Sequence, residues 1–147
     1  AGGAYIASHT EVVEYLRQRS RTSLFSNSLD TGVAGASLFA LEHVTAHPEL
    51  GQKLRANARL FREEMTKAGF SVNDSAHPIT PVMLSEELAI KTAKALFNEG
   101  IFVVGFSFPV VPKGKARIRV QVSAAHTEDD VRFLVEKFNK VTSELSK

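Results

Sequence analysis

The chain has 147 residues, 44% of them hydrophobic, which suits one domain with a real core or a domain with an appendage. Lys plus Arg total 18 and Asp plus Glu 16, a formal charge of +2 that supports neither a nucleic-acid partner nor a membrane surface. Cysteine is absent, which excludes disulfides, thiolate metal sites and a cysteine nucleophile, and no apolar run is long enough to span a bilayer.

Residues 1–8 (AGGAYIAS) are small and glycine-rich, fitting a strand with close backbone approach or a ragged terminus. The chain begins without Met inside this run, so it is expected to be a piece of a longer protein. Val12, Val13 and Leu16 recur at helical spacing and predict a helix from Thr10 to near Arg19. Arg17, Arg19 and Arg21 then read as solvated cations at a helix C-terminus. Residues 20–30 (SRTSLFSNSLD) are dense in Ser and Asn. Composition favours a plain loop there. The alternative is a phosphate-binding turn, since hydroxyls, an amide and backbone N–H groups before a helix suit an anion.

Asp30 or Thr31 caps a helix running towards His47, with Val33, Ser37, Ala40, Leu41 and Val44 on one small-residue face. Pro48 opens the next helix, and a domain boundary is expected at His47-Pro48. Leu50, Leu54, Ala58, Phe61 and Met65 form an apolar stripe that Gly69 ends. Beyond it the spacing predicts strands at 70–72 and 80–84, a helix over 86–100, a buried strand at 101–104 and a last strand at 117–122. Thr127 opens the final helix, with Asp130 in the place of the usual capping-box Glu or Gln. Its core face is Val131, Leu134, Val135, Phe138 and Val141. The expected fold is α/β, with helices on one face of a mainly antiparallel sheet.

The five histidines have no HExxH spacing; His43 and His47 share a helix face without a third ligand, so no metal site is expected. The sequence also lacks GxSxG and GxxxxGK[ST]. Adjacent pairs Glu63-Glu64 and Glu86-Glu87 read as solvated, because neighbouring helix positions diverge. His126 reads first as a helix-entry residue and second as a substrate contact. The sharpest lead lies in residues 116–122 (ARIRVQV), where strict alternation puts Ile118, Val120 and Val122 on one face and Arg117, Arg119 and Gln121 on the other. Exposed strand arginines usually only solubilise. Yet a planar fork on a rigid strand is what bidentate carboxylate recognition needs.

Four segments, LRQRSRTSLFSNSL (16–29), AGFSV (68–72), HPITPVML (77–84) and GIFVVGFSFPVVPKGKARIRVQVSAAHT (100–127), resemble the α-oxoamine synthases. These are fold-type I pyridoxal-phosphate enzymes, and the likeness is to their glycine C-acetyltransferase (2-amino-3-ketobutyrate CoA ligase) branch. The resemblance implies that residues 1–47 are the end of the cofactor-binding large domain with its linking helix, and 48–147 the small C-terminal domain. It implies pyridoxal 5'-phosphate as cofactor, glycine and acetyl-CoA as substrates, and a homodimer with a shared active site. Ser26 and Asn27 would belong to a turn that reaches the cofactor phosphate of the other subunit, which reverses the plain-loop preference. Arg119 would take the substrate carboxylate, leaving Arg117 as support or surface. Thr22-Ser23 and Asp30 depart from the usual residues beside that turn. The Schiff-base lysine would lie just before residues 1–8, outside the chain, so no catalytic residue is expected within it and the piece alone is expected to be inactive. The setting implied is bacterial cytoplasm or mitochondrial matrix. The alternatives are a sister synthase with another acyl-CoA or amino acid, or a stand-alone α/β binding or dimerisation module.

Overall fold

The computed structural model describes residues 3–145. The chain divides into two compact units, one ending at His47 and one starting at Pro48.

The first unit holds helices α1 (Thr10–Arg19), α2 (Arg21–Leu24) and α3 (Thr31–Ala46). Asp30 starts α3 in the expected way: its Oδ1 accepts from the Gly32 and Val33 amides at 2.9 and 3.2 Å. The short α2 turn interrupts what composition presents as a continuous loop. None of the three helices has a buried residue. On α3, Leu38, Phe39, Leu41 and Val44 are all more than half exposed. An apolar arc this wide on a helix is ordinarily a packing face.

The second unit runs α4 (Pro48–Lys67), β1 (Ile79–Met83), α5 (Glu86–Asn98), β2 (Val104–Phe106), β3 (Arg117–Gln121) and α6 (Glu128–Leu145). Helices α4 and α5 stop for one physical reason. Gly69 and Gly100 take φ of +86° and +82°, a region other residues avoid. The following Phe70 and Ile101 amides then donate back to Met65 and Leu96 carbonyls at 3.0 and 2.9 Å, closing Schellman turns. The capping box of α6 forms with Asp in place of Glu. Asp130 Oδ2 accepts from the Thr127 amide at 2.8 Å, and Thr127 Oγ1 accepts from the Asp130 amide at 3.1 Å.

The sheet is antiparallel, in the order β1-β3-β2. Its register aligns Thr80 with Val120, Val82 with Ile118 and Gly105 with Ile118, and this face carries the buried side chains. Helices α4 and α5 pack on it, and α6 packs against both. Phe61, Met65, Leu96, Val131 and Phe138 fill the space between, with Phe70 edge-on to Phe138 at 5.1 Å. Each such buried side chain contributes roughly 1.5–3 kcal/mol. Gly105 allows a close approach of strand to helix: a Cβ there would stand 3.0 Å from the Ala89 carbonyl oxygen of α5.

Two expected strands move. Residues 70–72 contribute a single bridge, Val72 to Val82, because the Gly69 turn and the Asn73-Asp74 segment leave no length to pair. The strand expected at 101–104 lies instead at Val104–Phe106. Ile101 is used in the α5 turn, and Phe102 is 80% exposed rather than buried. A continuous apolar run carries no period from which to place a strand.

Candidate functional site

In the first unit, the α2 turn and the extended residues after it border an open cleft of about 800 Å³. Ser23, Ser26, Asn27 and Ser28 line it together with Arg17 and Thr22. Ser26 and Asn27 are exposed, and Ser26 Oγ donates only a 3.2 Å bond to the Asn27 carbonyl. Asp30, also in the lining, already uses Oδ1 on the α3 amides. Neutral hydroxyls and an amide form a donor set suited to a phosphoryl group, while the nearby Arg17 guanidinium pairs with Glu14 at 3.2 Å.

In the second unit, the sheet face turned away from the helices carries Arg117 and Arg119 on β3, Phe106 on β2 and Pro81 on β1. These residues, with Ile79, Val110 and Val111, line a small hollow of about 290 Å³. The antiparallel ladder sets the spacing: Arg119 stands between Pro81 and Val104, and Arg117 between Met83 and Phe106. Arg119 is exposed and Arg117 half-buried. Neither guanidinium has a hydrogen bond or ion pair among the described residues. The Arg119 guanidinium carbon lies 5.0 Å from the centre of the Phe106 ring, a cation–π contact. That contact leaves the guanidinium's in-plane donors open to an anion.

A sequence profile of aminotransferase class I and II matches residues 1–138. The chain belongs to the aminotransferase class I and II family. This family member is 52% identical over 146 residues to the 2-amino-3-ketobutyrate coenzyme A ligase of Escherichia coli K12, covering 99% of this chain and 37% of that protein. It is 46% identical over 142 residues to the human mitochondrial protein of that name, covering 96% and 34%. An 8-amino-7-oxononanoate synthase of Thermosipho melanesiensis is 46% identical over 144 residues, with 97% and 37% covered. The chain therefore spans little more than a third of the length of these relatives. The fold matches serine palmitoyltransferase from S. paucimobilis, solved with a bound pyridoxal-phosphate–myriocin aldimine, at a TM-score of 0.83 and 23% identity over 96% of this chain and 36% of that one. It also matches the 8-amino-7-oxononanoate synthase of Francisella tularensis at 0.75 and 22% over 95% and 41%.

Several other polar residues bond within the second unit. His126 Nδ1 accepts from the Ser123 amide at 3.1 Å, which fixes the turn into α6. Buried Asn57 of α4 donates to the Ser123 and His126 carbonyls at 3.0 and 2.9 Å, clamping the same turn. Glu64 and Glu87 bond Lys67 and Lys91. Among the described residues no three His, Asp or Glu converge as metal ligands, although the His43 and His47 rings are 4.4 Å apart. Sequence reasoning missed Phe106 and Asn57. An apolar residue in an apolar run and a lone Asn on a helix carry no local signal of either role.

Proposed function

We propose that this chain is part of a pyridoxal-phosphate-dependent acyltransferase that condenses glycine with acetyl-CoA to 2-amino-3-ketobutyrate and CoA. The observation that carries it is the 52% identity, over 99% of the chain, to proteins named 2-amino-3-ketobutyrate coenzyme A ligase. Residues 1–47 belong to the end of the large domain, which accounts for the exposed apolar surface of α3, and residues 48–147 form the small domain. The Schiff-base lysine is supplied by a part of the enzyme outside these residues.

In this reaction the glycine Cα–H bond breaks, a bond from Cα to the acetyl carbonyl carbon forms, and the thioester C–S bond breaks to release CoA, whose thiol takes up a proton to balance the one lost from Cα. Pyridoxal phosphate, when bound, supplies the electron sink that acidifies the glycine Cα. Arg119 grips both oxygens of the glycine carboxylate, removing a rotation and fixing the direction of the Cα–H bond. Ser26 and Asn27 donate to the cofactor phosphate of the partner subunit, so each active site needs a homodimer. A hydroxyl and amide donor set facing a cleft fits that group.

The Arg119→Lys variant tests the site in the longer enzyme. A point charge replaces a planar fork, so the KM for glycine rises by at least about ten-fold. An unchanged KM removes Arg119 from the site. The 46% identity to an 8-amino-7-oxononanoate synthase favours one second reading, a sister synthase with a different acyl-CoA or amino acid. Assaying acetyl-CoA and longer acyl-CoAs against glycine, alanine and serine separates the two.

A further inference from the structure

We infer that Phe106 is a positioning residue that selects Arg119, rather than Arg117, as the carboxylate ligand and holds its guanidinium ready. The inference rests on the reading of Arg119 as that ligand.

The two arginines are alike in sequence: same strand, same face, no ion pair for either among the described residues. They differ in what the tertiary structure puts beneath them. Phe106 is the direct cross-strand neighbour of Arg117, yet its ring lies under the diagonal neighbour, Arg119, at 5.0 Å from the guanidinium carbon. Diagonal neighbours on a sheet are within reach of aromatic and long side chains.

An unrestrained arginine samples many rotamers and loses that freedom when it grips a ligand. A ring face restricts the guanidinium before the ligand arrives and uses none of its five N–H donors. It also favours one plane for the fork, as a bidentate carboxylate pair requires. Phe106 is itself held on the short edge strand β2, whose Gly105 is packed against α5. The shelf is therefore tied to the helical layer rather than to a loop.

Two measurements test this. In the longer enzyme, the Arg119 Nε–H resonance should be shifted upfield by the Phe106 ring. Phe106→Leu, which keeps apolar bulk but not the ring face, should abolish the shift, and Phe106→Tyr should keep it. In the longer enzyme, Phe106→Leu should raise the KM for glycine about three- to ten-fold with kcat nearly unchanged, and Phe106→Tyr should restore it. A merely structural Phe106 would instead lower kcat and stability without the ring-dependent rescue. Absence of the upfield shift, or a glycine KM that Phe106→Leu leaves unchanged while Arg119→Lys raises it, overturns the inference. If Arg119→Lys itself leaves the glycine KM unchanged, the carboxylate reading fails, and the positioning role falls with it even where the ring shift is present.

Discussion

At the scale of single residues, buried polar groups are the most informative. Asn57 is nearly inaccessible and gives both N–H bonds to carbonyls of the turn between β3 and α6. Deleting such a donor costs about 1–2 kcal/mol. Asn57→Ala should lower the unfolding free energy by that amount in a urea titration. Asn57→Asp should cost more, because a carboxylate would face two carbonyl oxygens in place of the donor. If the Asp variant is as stable as wild type, the turn is held by other bonds. The same logic separates Arg119 from Asn57: one has donors with no partner among the described residues, the other has none to spare.

At the scale of elements, how closely α5 approaches β2 governs the geometry of the open face. A methyl group at Gly105 would meet the Ala89 carbonyl oxygen at 3.0 Å, and helix backbone yields less readily than a side-chain tip. Gly105→Ala should therefore destabilise by about 1–3 kcal/mol, read by thermal or urea unfolding. Since β2 also carries Phe106, the same substitution should disturb the ring shift at Arg119. The helix ends were legible beforehand because their chemistry is local. Gly69, Gly100, Asp30 and Thr127 each act on backbone groups within a few residues. Strand placement was less legible. The 101–106 stretch is apolar throughout, and only pairing with β3 decides that Val104–Phe106 is the strand.

For the molecule as a whole, charge ties the helices of the second unit together. Glu99, at the end of α5, bonds Lys137 at 2.7 Å and Lys140 at 3.0 Å on α6. The Lys137 hydrogen bond, then that of Lys140, holds the Glu99 carboxyl below its ordinary value of 4.5. Glu64 is lowered chiefly by the Lys67 hydrogen bond and Asp130 chiefly by the Thr127 amide. A lowered folded value means the stabilisation is complete above the ordinary carboxylate range and is lost as pH falls through it. Lys140 is raised above 10.5, mainly by its bond to Glu99, so its share is present below that value and lost as pH rises through the raised one. The urea midpoint should stay flat between about pH 6 and 9 and fall below about pH 4. Glu99→Gln should reduce the acid limb, and added salt should weaken the more exposed Lys140 pair more than the half-buried Lys137 pair. An acid limb unaltered in the Gln variant would show that Glu99 does not couple α5 to α6.

Periodicity and bonds made within one turn suffice for the five longer helices, the central alternating strand and the antiparallel α/β class, but not for the short α2. The sequence also carried the motifs from which the family resemblance, and with it Ser26, Asn27 and Arg119, could be drawn. Tertiary structure alone decided which residues share the open sheet face, that Val72 makes only one bridge, and that Phe102 is exposed. It alone showed that an aromatic ring, Phe106, lies under Arg119. The ring beneath Arg119 comes from another strand, and no local period encodes a diagonal contact across an antiparallel register.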